Sequence, residues 1–442
     1  MQTKPLEAKR QFINNKIIIG IDPSKEKHQA IPLNSIGIPI GKSFTFKNNY
    51  GGFHEELWRK LKKLIGERDP QEVVFAIEAS INFWQKLCEF INKKGYTVLM
   101  VSPLHTKHER PKINNNNSRT DPRDALAVAS CARNGYYMFY NKYSPEQSAM
   151  HRLSITYEKL KVQMVQTKQR IRSQMELIFP EFTEIINIDT DTARYLLSKY
   201  MSPGEFSRMN IFYETPEVES ISGKQISTAR LKVIKEAAQK TVGIKLSESE
   251  IVAERITLNM WLGEYVLFEK QIEIVLDELI KLAEKNEDFK ILVSIKGISE
   301  ITAARFLAEI RDFSLFDNYK KIEAFAGANL RLSQSGQYSG YRGISHIGNN
   351  RLRALLYTMT EETKKYIPEV RIRYIKRQMD QPRYKKNIIA CTSNLLKLIA
   401  ALVKKGTPYE YYKPKQEELA ILEEKYKEFK EKKKKYKNSS IE

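Results

Sequence analysis

Short apolar runs separated by turn residues dominate the first hundred positions of the chain. Residues 17–21, 73–77 and 97–101 are almost continuously apolar and of strand length, which is the pattern of strands buried on both faces. Two further β-branched or aromatic stretches, 28–33 and 38–46, are bounded by turn residues and also predict strands. The first three predicted strands follow one another directly and indicate a meander.

Helical patterns lie between the later strands. One helix is predicted to open after Gly51-Gly52 and to run through Leu64, and another spans 83–91. Three strands, a helix, a strand, a helix and a strand is the order of a ribonuclease-H-like (RuvC-like) α/β sheet. We therefore predict an α/β domain over residues 1–145.

Apolar residues from 146 to 290 change to heptad spacing, which predicts two long paired helices in a coiled-coil domain. The two stripes are Leu153, Tyr157, Leu160, Met164, Thr167 and Ile171, and Trp261, Tyr265, Phe268, Ile272, Val275, Leu279 and Leu282. Pro180 is expected to end the first helix, and a smaller helical insert is predicted at about 181–250. Pairing within one chain and pairing between chains both fit the stripes.

A mostly helical third domain is predicted over residues 291–412. Its start, Ile295-Lys296-Gly297-Ile298 followed by Ser299, resembles a helix-hairpin-helix element whose backbone amides can face a phosphate. Residues 413–442 are rich in Lys and Glu and predict a charged tail, a solvated helix that frays toward its end.

The charge balance points to a polyanionic partner. The 442 residues carry 74 Lys and Arg against 53 Asp and Glu, a formal net charge of +21, and nucleic acid is the first candidate. No uninterrupted apolar stretch approaches the roughly 20 residues that span a bilayer, and the first residues lack the apolar segment of a signal peptide. We expect a cytoplasmic protein without a membrane role. Its three widely spaced cysteines favour neither a disulfide framework nor a zinc site.

Four carboxylates are placed where a ribonuclease-H-like sheet would bring them together. Asp22 and Glu78 end two strands predicted to be parallel neighbours, and Asp121 and Asp124 lie one helical turn apart. Four crowded carboxylates repel one another unless divalent cations join them, and Mg²⁺ prefers such oxygen ligands. A pair of ions can stabilise the attacking and leaving oxygens of a phosphoryl transfer. We predict a catalytic site for Mg²⁺, with two ions, at these four residues.

Basic residues interleaved with aromatic rings predict a nucleic-acid-binding surface in the C-terminal part. The candidates are Arg351, Arg353, Arg371, Arg373, Lys376, Arg377, Arg383, Lys385 and Lys386. A solvated charged face is the alternative interpretation of such a run, and the net charge favours nucleic-acid contact.

These residues resemble a known family. The carrying motifs are Gly20-Ile21-Asp22, Ile77-Glu78-Ala79, Arg119-Thr120-Asp121 with Asp124, Ala326-Gly327, Ser335-Gly336, Gly348-Asn349 and Leu352-Arg353. The pattern is similar to the DEDD transposases of bacterial and archaeal insertion sequences, the IS-one-ten family guided by a bridge RNA, and to the Piv-type DNA invertases. The resemblance implies a RuvC-like domain, a coiled coil and a C-terminal transposase domain. It also implies DNA and a structured guide RNA as partners, and a dimer that assembles to a tetramer.

The resemblance assigns roles to particular residues. Asp22, Glu78, Asp121 and Asp124 match the metal-binding tetrad, and Ser335 matches a serine nucleophile. The chain departs from the family in lacking a proline in Gly327-Ala328-Asn329-Leu330-Arg331, and Ser333 and Ser339 lie close by.

The expected activity is cutting and rejoining of DNA strands through a serine-linked intermediate. A serine ester conserves the energy of the broken phosphodiester, so that rejoining needs no ATP. Two alternatives stay open. A RuvC-like endonuclease that hydrolyses branched DNA would keep the four acids without needing Ser335, and a non-catalytic nucleic-acid-binding protein would need neither.

Overall fold

The computed structural model describes residues 4–80, 82–114, 120–223, 226–335 and 338–438. The chain divides into two compact units, residues 1–142 and residues 143–442. The predicted boundaries near 290 and 412 fall inside the second unit, and that finer division remains a prediction.

The first unit alternates strands and helices around one sheet. Its elements are α1 (Lys4–Ile13), β1 (Ile17–Asp22), β2 (Lys27–Leu33), β3 (Phe44–Lys47), a π-helical turn (Gly52–Glu56) leading into α2 (Leu57–Ile65), β4 (Val73–Glu78), α3 (Trp84–Lys93), β5 (Thr97–Val101), α4 (Pro103–Asn114), α5 (Asp121–Arg133) and β6 (Met138–Phe139). The mixed α/β class expected for this region is confirmed.

Six strands of the described residues form the sheet in the order β3-β2-β1-β4-β5-β6. β1 runs parallel to β4, and β4 runs parallel to β5, whereas β2, β3 and β6 are antiparallel to their neighbours. Each face of β1 and β4 packs into its own apolar cluster, with Ile19 and Phe75 on one side and Ile18 and Val74 on the other. Burial on both faces explains why these strands are continuous apolar runs.

The third strand is shorter than expected. The sequence predicts it over 38–46, but β3 begins only at Phe44, and residue 39 makes an isolated bridge to Leu33. Pro39 lacks an N–H for a strand ladder, and Gly41 has a φ of 76°, so the segment between them turns. Helix α1 and strand β6 were not predicted. Both are short, and α1 is strongly charged, so neither carries a clear apolar period.

In its described residues, the second unit contains two long helices, with five short helices between them in the sequence. The two long helices are α6 (Pro145–Ile178) and α12 (Glu248–Ala283), and they pack against each other. Both start with capping boxes, Ser144 with Gln147 and Ser247 with Glu250, which satisfy the first free amides. Two long helices that contact each other are therefore present, and Ile171 is buried on α6, while their description as a coiled coil remains a prediction.

The helical insert between them is present. It comprises α7 (Pro180–Ile185), α8 (Asp191–Lys199), α9 (Pro203–Arg208), α10 (Ile211–Ser222) and α11 (Thr228–Gln239). Phe179, Phe182 and Phe206 form the centre of its buried cluster, with ring centroids 5.3–5.9 Å apart. As expected, α6 ends just before Pro180.

The remaining helices form a second core. They are α13 (Glu287–Val293), α14 (Glu300–Ile310), a 3₁₀ turn (Phe313–Leu315), α15 (Tyr319–Ala326), α16 (Asn350–Thr363), α17 (Pro368–Asp380), α18 (Tyr384–Lys405) and α19 (Lys413–Asn438). Met150 of α6 and Leu279 of α12 belong to the same buried cluster as these helices. The expected helix-hairpin-helix-like element corresponds to α13 and α14, joined by a turn at Gly297.

A two-stranded hairpin interrupts these helices. β7 (Leu330–Ser335) and β8 (Tyr338–Ile344) pair antiparallel, with an irregularity between Leu330 and Leu332. The mostly helical character of this region is confirmed, but the sequence analysis placed no strands here. Gly, Ser and Gln break the apolar alternation that identifies a strand.

Helix α18 is long and apolar enough to cross a membrane by length and composition. Its buried residues, among them Ile388, Leu395 and Ile399, lie in the helical core of the second unit. Core packing therefore accounts for its composition.

The C-terminal helix α19 differs from the solvated helix that was expected. Tyr426 is buried, and Leu419, Leu422 and Phe429 pack against the core. These apolar residues lie at helical spacing, but the many Lys and Glu residues between them make that pattern hard to recognise in the sequence.

Candidate active site

The strand order brings Asp22 and Glu78 to one edge of the sheet. β1 and β4 are parallel neighbours in the register Ile21 to Ile77, and the two acids are the next residues of each strand. Glu78 is buried, at 5% exposure, and Asp22 is half-buried. A buried carboxylate needs hydrogen-bond or charge partners, so this edge is the place to look for chemistry.

Helix α5 adds two carboxylates to the same region. Asp121 and Asp124 occupy its first turn, after Thr120 as N-cap. The helix lies directly on β1 at Gly20, where a Cβ would stand 2.4 Å from the carbonyl oxygen of Ala125. Only glycine permits this approach, so Gly20 sets the distance between the strand and the helix.

The four acids interact electrostatically. Burial raises the pKa of Asp22 to about 7, and the negative charges of Glu78, Asp124 and Asp121 add to the rise. The structure therefore brings together the four carboxylates selected from the sequence.

Two residues that the sequence analysis missed complete the cluster. Thr106 on α4 donates a 2.7 Å hydrogen bond from Oγ1 to Oε1 of Glu78. One turn later, Arg110 places Nε 2.5 Å from Oδ1 of Asp124 and a terminal nitrogen 3.7 Å from Oε2 of Glu78. The only sequence signal for Thr106 and Arg110 is that they lie four positions apart, shortly after the end of β5.

The four carboxylates are donors of the type that bind a divalent metal, but two of them, Glu78 and Asp124, contact the guanidinium of Arg110. In the described part of the chain, no group of three or more His, Cys, Asp or Glu side chains is positioned to hold a metal ion. The carboxylate oxygens are the ligands that Mg²⁺ prefers, and burial, with the neighbouring negative charges, raises the pKa of Asp22. By donor chemistry the residues fit a metal.

The predicted nucleophile lies in the second unit. Ser335 is the last residue of β7 and pairs with Tyr338 across the hairpin. Its side chain, and Gly336 after it, lie outside the described residues. Ser333 is opposite Gly340 and Ser339 is opposite Gln334, so the three serines belong to one hairpin.

Two arginines that were predicted to bind nucleic acid make contacts within the second unit. Arg353 donates from a terminal nitrogen to the carbonyl oxygen of Ala326, at 2.9 Å. Arg351 makes a two-point contact with Glu309, at 2.9 and 3.1 Å. Both guanidinium groups therefore already bind within the unit.

Glu309 itself is deeply buried. Burial alone would raise its pKa, but the hydrogen bonds from Arg351 and Asn349 and the charge of Arg351 outweigh that effect and lower it. Ser154 of α6 also donates to Glu309, at 3.0 Å. This carboxylate is fully engaged, in contrast to Asp22.

The basic segment on α17 and α18 is divided. Arg371 contacts Glu423 at 2.6 Å, and Lys376 contacts Glu418 at 2.8 Å, so α19 neutralises part of the run. Arg377 donates to Asn387, at 3.2 Å. Exposed positions of the run are Arg373, Lys376, Arg377, Arg383, Lys385 and Lys386.

Comparison with protein families gives two matches. A DEDD transposase profile named for IS110 matches residues 19–180, and the profile of the IS116/IS110/IS902 transposase family matches residues 289–374. The first range contains all four carboxylates, and the second contains Ser335. The chain belongs to this family of insertion-sequence transposases.

Two curated relatives agree with this assignment. The transposase for insertion sequence element IS1111A of Coxiella burnetii is 26% identical over 262 residues, 59% of this chain and 58% of that protein. A protein of Streptomyces coelicolor named as the mini-circle transposase for IS117 is 21% identical over 354 residues, 76% of this chain and 81% of that protein. The aligned part of the transposase thus spans little more than half of the first relative.

Proposed function

We propose that this transposase cuts and rejoins DNA strands at the ends of its insertion sequence and at a target. The observation that supports this proposal is the group of Asp22, Glu78, Asp121 and Asp124 at one edge of the six-stranded sheet. A lone acid at a strand end is commonplace, but four interacting carboxylates would be costly without a function that uses their charge.

In the proposed reaction Ser335 is the nucleophile that attacks the phosphodiester. Ser335 Oγ attacks phosphorus, the Oγ–P bond forms, the P–O3′ bond breaks, and the serine proton is balanced by the proton that the 3′ oxygen gains. Divalent cations held by Asp22, Glu78, Asp121 and Asp124 would offset the charge that develops on the phosphate. Rejoining reverses these steps, with a 3′ hydroxyl attacking the phosphoserine ester.

Exposed basic residues are proposed to hold the nucleic acid. Arg373, Arg383, Lys385 and Lys386 are exposed, and each can neutralise a phosphate. Guidance by a structured bridge RNA is proposed on the family resemblance.

Self-association is proposed from the outer face of α12. Val252, Ile256, Met260, Leu267 and Ile274 are exposed apolar residues, and the last three are spaced by heptads. A second copy of the helix would cover them. A dimer that pairs into a tetramer would let one protomer supply Ser335 to the carboxylates of another.

The deciding experiment is a search for a covalent adduct. Wild-type protein with element DNA, RNA and Mg²⁺ is expected to leave protein-linked DNA that survives denaturation. Ser335→Ala should lose the adduct and strand exchange while still folding, because removing a single hydroxyl away from the core typically changes stability by less than about 0.5 kcal/mol. Ser333→Ala and Ser339→Ala are the matched controls. Undiminished cleavage by Ser335→Ala, with free DNA ends, would identify a water-using RuvC-like endonuclease instead.

A further inference from the structure

Helix α4 presents a cation to the carboxylates of the active site. Arg110 is partly buried, with 20% of its side chain exposed, and it bridges Asp124 on α5 and Glu78 on β4. Thr106, one turn earlier, holds the other oxygen of Glu78. The two contacts of Arg110 thus link α5 and β4, which also share a buried apolar cluster.

The bridge is a substantial interaction. Asp124 and Glu78 are 13% and 6% exposed at their side chains, so water screens the contacts poorly. Removing one member of a buried charge pair leaves the other uncompensated, which is far costlier than losing a surface pair. Without a metal ion, Arg110 is thus a positive charge that opposes the repulsion among the carboxylates, and it also acts to lower the pKa of Asp22.

Because of these contacts, Arg110 would compete with a metal ion for the carboxylates of this site. A divalent cation bound by Asp124 and Glu78 would stand within a few ångströms of the guanidinium, and the two positive charges would repel each other. Arginine has a long side chain and cannot deprotonate in proteins, so it relieves this repulsion by moving rather than by losing its charge. The helices and strands can remain in place while the side chain changes.

We propose that Arg110 is a displaceable counter-cation of the active site. It holds Glu78 and Asp124 in position before a metal ion binds, and it gives up at least one of these carboxylates when the ion enters. The inference rests on the proposed function in assigning the carboxylates to divalent cations. It adds that metal affinity is restrained by a residue of the chain itself.

The test measures stability and metal affinity without DNA. Full-length wild type, Arg110→Gln and Arg59→Gln are unfolded thermally in EDTA, and Mg²⁺ binding is followed by calorimetry. Arg59, exposed on α2, is the matched control for loss of one arginine in the same unit. Arg110→Gln is expected to unfold about 5 °C lower in EDTA and to bind Mg²⁺ at least about tenfold more tightly than wild type. Arg59→Gln should match wild type in both measurements.

The increase in affinity separates this proposal from a purely structural role. If Arg110 only organised the site, its loss would weaken Mg²⁺ binding, and that result would overturn the proposal. Equal Mg²⁺ affinity in wild type and Arg110→Gln would also overturn it while leaving the metal site intact. No Mg²⁺ uptake by wild type would remove both the metal site and this inference.

A conservative variant guards against loss of folding. Arg110→Lys keeps the positive charge but lacks the planar fork that reaches two carboxylates. Its melting temperature in EDTA and its Mg²⁺ affinity are expected to lie between those of wild type and Arg110→Gln. A lysine variant that binds Mg²⁺ more tightly than the glutamine variant would contradict competition by charge.

Discussion

Charged side chains are paired differently at the acidic edge of the first unit and in the basic segment of the second unit. At the edge, Asp22 lies among three other carboxylates, and burial with their charges raises its pKa to about 7. In the second unit, Arg351 and Arg371 are matched by Glu309 and Glu423. A net charge of +21 therefore does not identify which cations are available to a ligand. A group of neighbouring like charges is a candidate for function, whereas a one-to-one ion pair such as Arg351 with Glu309 indicates a structural contact.

The largest expected effect is loss of activity at the acidic edge. Glu78→Gln should reduce strand cleavage by roughly 10²–10³-fold or more, as loss of one charge-stabilising group does in other enzymes. Asp121→Asn should behave alike, and both should bind DNA as wild type does, because the basic surface is untouched. A gel cleavage assay in Mg²⁺ with a parallel DNA-binding assay measures this.

Glu109→Gln is the matched control for that experiment. Glu109 is a buried carboxylate on α4, bonded to Lys112 and Asn134 and outside the cluster. Full cleavage by Glu78→Gln and Asp121→Asn would remove the distinction between the two regions.

The second expected effect is on stability at the matched pair. Arg351→Met should cost about 3 kcal/mol, because it leaves Glu309 as a buried carboxylate without its cation. Arg373→Met, an exposed arginine of the same unit, should change stability by less than about 0.5 kcal/mol. Urea unfolding midpoints measure both. Equal midpoints would mean that Arg351 is not a structural joint.

Acid should weaken the first unit through His28. Burial lowers the pKa of this fully buried histidine from its ordinary 6.5 to about 4. Between these values the unfolded chain binds a proton that the folded chain does not, so stability falls as pH drops through this window. At 1.36 kcal/mol per unit the loss is about 3 kcal/mol by pH 4.

Comparison with His28→Leu isolates that contribution. Urea unfolding at pH 7 and pH 4 should show a smaller difference for the variant than for wild type. The same pH dependence in both proteins would assign the acid sensitivity to other groups.

The smallest effect concerns salt. Duplex DNA affinity should fall with salt at a slope near −0.9 per neutralised phosphate, and Lys385→Gln or Lys386→Gln should each reduce the slope by about one contact. Arg353→Gln should leave the slope unchanged, since its guanidinium binds Ala326 within the unit. Titrations between roughly 50 and 200 mM salt measure this. A reduced slope for Arg353→Gln would show that this arginine leaves its internal contact for a phosphate.

The pattern of apolar and polar residues was sufficient to predict most of the long elements and the residue types of the candidate site. Continuous apolar runs fixed β1, β4 and β5, heptad stripes fixed α6 and α12, and strand order placed Asp22 and Glu78 on one edge. These features follow from periodicity and burial, which neighbouring residues encode together. The short β3, the hairpin of β7 and β8 and the packed face of α19 were not predicted, because their local signals are weak or interrupted.

Tertiary structure alone decided which charges meet. Arg110 on α4 contacts Asp124 on α5. Arg351 contacts Glu309, which is 42 positions away in the sequence, and Arg371 contacts Glu423, which is 52 positions away. Nothing in the local pattern distinguishes these arginines from Arg373, which is exposed. A charge's partner depends on how distant elements pack, because the energy of an ion pair is set by separation in space and by burial rather than by separation along the chain.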